Sequence, residues 1–201
     1  MNINIRILLA FILVIPNANA LLIDNGSGLI YDSDLDVTWL QDANYAMTSG
    51  FDADGNMSWG TASNWAADLS YAGYDNWRLP TYDNTNPRPT TSTSTNEIGS
   101  LWNELSGGDT LSTDELLPFV NLVDNNAHWY WTGQVDVNEP TNAWRIDMEC
   151  ACWDSQDMGN EYAAWAVHDG NISSVPEPAS LFLMVIGLAG LGLHKRIRLI
   201  K

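Results

Sequence analysis

Gly73-Tyr74-Asp75-Asn76-Trp77-Arg78-Leu79-Pro80-Thr81 is the stretch from which the rest of the chain can be read outward. Trp77 and Leu79 flank Arg78, so an extended segment places two large apolar groups on one face and a charge on the other. Pro80 has no N–H and ends the pairing. Arg78 lies among many carboxylates, and a partly buried charge pair tying a helical region to the sheets is expected of it. Upstream, Thr61 to Leu69 reads as a helix, with Thr61 as N-cap and Ala62, Trp65 and Leu69 on one face. Gly73 follows its end. Downstream, Tyr82 to Asn96 is rich in Thr, Ser, Asn and Pro and reads as a surface loop. Glu97 to Leu105 then makes a second short helix, with Ile98, Leu101, Trp102 and Leu105 as its apolar face.

Toward the N-terminus, Leu21 to Asp24 and Leu29 to Tyr31 read as strands around an Asn25-Gly26-Ser27-Gly28 turn. Asp32, Asp34 and Asp36 alternate toward one face, and Val37-Thr38-Trp39-Leu40 continues apolar. Toward the C-terminus, Trp129 to Thr132, Ala143 to Ile146 and Ala163 to Val167 are strand candidates. Two early helices followed by a strand-rich half predict an α+β fold with small antiparallel sheets.

Between residues 21 and 175 the only cations are Arg78, Arg88 and Arg145, against 24 carboxylates, a formal charge of −21. Such a surface repels phosphate backbones, so nucleic acid is excluded as a partner, whereas divalent cations, neutral glycans and basic proteins fit. All ten tryptophans fall in this region, which excludes disorder for most of it and suggests a core of large rings, some free to stack on sugars. Cys150 and Cys152 are the only cysteines. Residues i and i+2 on a strand stand about 6.5–7 Å apart, the limit of disulfide reach. The sequence leaves three states open: a bridge across a bend, two free thiols, or pairing between chains.

Both ends carry addresses. Arg6, the apolar run Ile7 to Ile15 and the small-x-small site Ala18-Asn19-Ala20 make residues 1–20 a signal peptide. At the other end, Pro176-Glu177-Pro178 precedes thirteen apolar residues, Leu181 to Leu193, and the basic cluster Lys195-Arg196-Ile197-Arg198. A helix of that run spans about 20 Å, short for a ~30 Å hydrocarbon core, so thinning or snorkelling must help it cross. The basic end favours a cytoplasmic C-terminus. Residues 175–201 thus resemble the PEP-CTERM sorting signal. That resemblance implies a transmembrane helix holding the chain in the inner membrane of a Gram-negative bacterium. Cleavage near Pro176-Glu177-Pro178 by an exosortase would follow, with delivery to the cell surface or an exopolysaccharide-rich matrix.

Residues 21–174 resemble the Lcl C-terminal domain family. Three sets of residues carry the likeness: Gly28 to Asp32 with Thr38 to Asn44; Trp59 to Trp65 running into Gly73 to Thr81; and Trp129 to Thr132 with Tyr162 to Val167. Within these, Trp77-Arg78-Leu79-Pro80-Thr81 is the most specific part. The resemblance implies a C-type-lectin-like fold, helices on small antiparallel sheets, and a non-catalytic binding or structural role toward a glycan or protein. The alternative is an extracytoplasmic hydrolase or modifying enzyme working through carboxylates.

No catalytic residues are assigned. Only His128 and His168 are imidazoles in the domain, neither within a Ser-His-Asp signature. Calcium is the cofactor with candidates. Asp52, Asp54 and Asn56 put hard oxygens on one turn around Gly55, as calcium loops do. Glu139-Pro140-Thr141-Asn142 is similar to the Glu-Pro-Asn sugar-binding loop of calcium-dependent lectins, with one residue more, which makes Glu139 and Asn142 candidate ligand contacts.

Overall fold

The computed structural model describes residues 22–107, 118–122 and 129–173. The expected signal peptide at residues 1–20, the sorting tail with Pro176, Glu177 and Pro178, and His128 lie outside the described residues. Among the described residues no helix is long and apolar enough to cross a membrane.

Two sheets form the frame. The first has strand order β1(Leu22–Gly26), β2(Leu29–Asp32), β3(Val37–Leu40) and β9(Val167–Asp169), antiparallel throughout. The second runs β4(Asn56–Met57), β8(Tyr162–Ala163), β5(Trp129–Val135), β6(Asn142–Asp147) and β7(Cys152–Asp157). Its pairs are antiparallel except β5 with β8, which meet in parallel at Tyr130 and Ala163. With α1(Tyr45–Thr48), α2(Trp59–Asp68) and α3(Glu97–Ser106), the architecture is α+β, as the sequence predicts.

Trp77 to Thr81 is a strap between the sheets rather than a strand. Arg78 exchanges both backbone hydrogen bonds with Val167 at the first sheet, at 2.9 Å each. Pro80 cannot donate, but its carbonyl accepts the Gly133 N–H of β5 at 2.9 Å, so pairing passes to the second sheet instead of ending. Trp77 and Leu79 point inward as expected and are buried. Six of the ten tryptophans are buried, which makes the core aromatic. Trp165 is its centre, 4.9 Å from both Trp39 and Phe119, with its indole N–H donated to the Leu40 carbonyl at 2.7 Å.

Several expectations need correction. α2 begins two residues before the predicted start, because Ser58 is the N-cap: its backbone is extended and its Oγ accepts the N–H of Thr61. The predicted strand Ala163 to Val167 splits into β8 and β9. Ala164 to Ala166 cross between the sheets, and Trp165 enters the core there. Asp32, Asp34 and Asp36 do not share a face. They surround the turn from β2 to β3, where Asp32 is buried and its Oδ1 accepts the N–H groups of Asp34 and Leu35. α3 runs one residue further than predicted, capped by Asn96 Oδ1 on the Gly99 N–H and closed by Gly107 at φ 60°.

Candidate functional site

Beyond the strap the chain opens into the loop 82–96, which is secured at both ends. At its start, Arg78 meets Glu97, the first residue of α3, through two parallel bonds of 2.7 and 2.8 Å. Glu97 is 2% exposed and also accepts the Thr81 N–H at 2.9 Å. Arg78 makes a further bond from Nε to Asp169 at 3.1 Å, and that aspartate is 79% exposed. Paired hydrogen bonds with Glu97 hold the guanidinium pKa above its ordinary value, against burial, which acts to lower it. Arg78 therefore joins α3, the strap and β9, the placement expected of it.

Further along the loop, Arg88 lies 5.4 Å from the Trp102 ring and 5.8 Å from the Trp153 ring, and donates to the Cys150 carbonyl at 2.5 Å. The turn that accepts it carries a disulfide between Cys150 and Cys152. Of the three cysteine states left open, the intrachain bridge is the one formed. Ala151 at φ 48° supplies the bend, drawing the flanking Cα atoms to 5.1 Å. The third arginine, Arg145, is stacked 3.8 Å from Trp129 and 4.1 Å from Tyr162 and bonded to Asp154 at 2.6 Å. Every arginine between residues 21 and 175 is thus committed to structure.

Between the secured loop and the β5–β6 hairpin lies an open cleft of about 450 Å³. Half-buried Trp144 of β6 forms its floor, backed by Tyr82 at 5.9 Å between ring centroids. Asp83, Asn84 and Thr95 line one side, and Gln134 and Val137 the other. Val137 is 88% exposed at the rim. Asp83 Oδ1 is bonded to the hydroxyl and N–H of Thr85, which hold its carboxyl below the usual range. Tyr82 is buried, its hydroxyl makes no hydrogen bond, and burial raises its pKa. An aromatic floor with amide, hydroxyl and carboxylate walls and no cation can stack on an apolar face and exchange hydrogen bonds with hydroxyl groups. Sequence reasoning missed this cleft. Its one signal was the polar loop directly after Thr81.

The calcium candidates fall elsewhere. Asp52 Oδ1 accepts the N–H groups of Asp54 and Gly55, and Asp54 Oδ1 accepts that of Asn56, so these oxygens close the turn. Hydrogen bonds from Asn56 lower the Asp54 pKa. Gly55 is required there at φ 80°, since a Cβ would lie 1.8 Å from Asn44 Oδ1. Glu139 and Asn142 do come together, at the tip of the β5–β6 hairpin beside the cleft. The Asn142 side-chain amide donates to Glu139 Oε2 at 2.8 Å, and its backbone N–H to the Glu139 carbonyl at 2.8 Å. Among the described residues no three His, Cys, Asp or Glu side chains form a group able to hold a metal ion. His168 is edge-on to Trp77 and Tyr74, with Nδ1 bonded to the Asp169 carbonyl.

The sequence pattern of the Lcl C-terminal domain matches residues 28–168, and the chain belongs to that family. The PEP-CTERM protein-sorting motif matches residues 174–196. That motif marks the chain as an exported exosortase substrate whose C-terminal signal anchors it to the membrane during sorting. None of the curated proteins compared with the chain matches it.

Proposed function

We propose that the domain is a non-catalytic, lectin-like binding module that the exosortase route delivers to the cell surface or extracellular matrix, where it holds a neutral glycan. The observation that carries this reading is the cleft over Trp144. Its aromatic floor suits the C–H face of a pyranose, and its walls suit hydroxyl groups. The formal charge of −21, with all three arginines engaged, disfavours uronate or sulfate chains. A non-catalytic role is supported by the lining, in which Asp83 is the single carboxylate among the described residues. Glycoside hydrolysis ordinarily uses a pair of them.

A glycan array probed with the mature exported protein, with and without calcium, tests the proposal. Binding to neutral oligosaccharides, reduced at least tenfold in Trp144→Ala, is the expected result. The factor follows from ~60 Å² of sugar face at about 25 cal/mol/Å², or ~1.5 kcal/mol. Binding confined to anionic glycans would refute it, as would polysaccharide turnover that disappears when Asp83 is replaced.

A further inference from the structure

A second cavity, of about 350 Å³, lies between α2 and the segment formed by α1 and the turn after it, and it shares no lining residue with the cleft over Trp144. Three aromatic rings line it: Tyr45, Phe51 and Trp65. Phe51 and Trp65 stand 6.4 Å apart between centroids with their planes tilted by 50°. Tyr45 is backed edge-on by Tyr71 at 4.9 Å. Trp65 is buried on α2, whereas Phe51 is 55% exposed, the most exposed aromatic ring among the described residues. A ring held in water at the rim of a cavity is free to close against what enters it.

The polar groups of the lining differ in what they already hold. The Ser49 hydroxyl donates to the Ala46 carbonyl at 3.3 Å, and the Thr61 hydroxyl is bonded to that of Ser58 at 2.9 Å. The Asp68 carboxylate has no hydrogen bond or ion pair among the described residues. Asp68 is the last residue of α2, whose final turn carries no basic residue, so its charge adds to the partial negative charge of the helix end. The chain has no cation to spare for it. Residues 21–175 contain no lysine, and Arg78, Arg88 and Arg145 are engaged at Glu97 and Asp169, at the Cys150 turn, and at Asp154. Aromatic walls with one negative end attract an organic cation through the ring faces and the carboxylate together. A primary ammonium is tightly hydrated and would lose that water against the rings. A quaternary ammonium is weakly hydrated and needs no acceptor, so rings can replace its water. We propose that this cavity binds a quaternary ammonium group of the choline class, with Tyr45, Phe51 and Trp65 against its methyl groups and Asp68 as its counter-charge. The site does not depend on the cleft binding a glycan.

Choline chloride titrated into the mature exported protein, followed by the indole N–H resonances, tests the site without any substitution. Ionic strength is held constant, because a strongly acidic domain gathers any cation around it. A saturable shift of the Trp65 signal is expected, with a dissociation constant on the order of 1 mM for so small a ligand. Dimethylbutanol, the uncharged isostere with carbon in place of nitrogen, should bind at least about fivefold more weakly, and butylammonium should also bind more weakly. Phe51→Ala should weaken choline about fivefold and Asp68→Asn about threefold. Both side chains are exposed, so each variant should keep the Tm of the wild type to within a few degrees. No saturable shift at Trp65 up to about 50 mM choline would overturn the proposal. Equal or tighter binding of dimethylbutanol would show an apolar pocket indifferent to charge, and tighter binding of butylammonium would show a site for primary amines; either result overturns it. Unchanged choline affinity in both folded variants would overturn the placement.

Discussion

Replacing Arg78 by alanine should be among the most destabilising single changes in the domain. The substitution strands Glu97, which is 2% exposed and keeps only the Thr81 N–H as a partner for its charge. Breaking a buried, bidentate pair from one side costs about 3–5 kcal/mol, chiefly from the charge left behind. In a domain of this size each kcal/mol moves Tm by ~2–4 °C, so a fall of roughly 6–20 °C is expected. The Asp169 arm gives an internal control. That aspartate is 79% exposed, and removing it should cost no more than about 1 kcal/mol. Adding Glu97→Gln to Arg78→Ala removes the stranded charge while leaving an oxygen to accept the Thr81 N–H, so the double variant should recover part of the loss. Urea unfolding followed by tryptophan fluorescence would measure all four proteins. The reasoning fails if Arg78→Ala loses under 1 kcal/mol, if Asp169→Ala loses as much as Arg78→Ala, or if the double variant is less stable than Arg78→Ala alone.

Opening the Cys150–Cys152 bridge by double serine substitution should cost about 1.5 kcal/mol or less, because the closed loop is only three residues long. Complete unfolding of that variant would contradict this. Glu104 should make the protein less stable as pH rises. A carboxyl raised in the folded state contributes stability fully below about 4.5 and loses it as pH climbs through about 8. The slope cannot exceed ~1.4 kcal/mol per pH unit and should be smaller for a partly exposed group, and a stability difference between Glu104→Gln and wild type that is flat over that window would rule it out. Substituting Pro176 and Pro178 together by alanine should leave the C-terminal tail on the exported chain in a host with an exosortase, as read by intact mass. A processed mass in that variant would show that the tripeptide is not what the sortase reads.

Local signals made much of the fold legible. The turn from β1 to β2 falls within Asn25-Gly26-Ser27-Gly28, although β1 runs on to Gly26 and Ser27 and Gly28 make the turn, Val37–Leu40 is β3, and the apolar face of Ile98, Leu101 and Trp102 is buried. Arg78 could be read because a scarce cation among carboxylates has few alternatives to pairing. Other features depended on tertiary context. Pro80 was read as a stop because it lacks a donor, yet its acceptor bridges to Gly133 across the fold. Ala163 to Val167 looked like one strand because apolar runs do not reveal a crossing between sheets. The cleft joins residues 81–84, 94–95, 134–137 and 144, a combination no spacing rule anticipates. Asp32 resembles an ordinary turn acid until its burial is known.

The most direct test compares two tryptophans of β6 and β7 in the mature exported protein. Trp144 floors the cleft, whereas Trp153 is exposed on the neighbouring strand outside it. Titration with a neutral oligosaccharide, chosen from the array and followed by the indole N–H resonances, should shift the Trp144 signal and leave that of Trp153 in place. A shift at Trp153 with Trp144 unmoved would contradict the account.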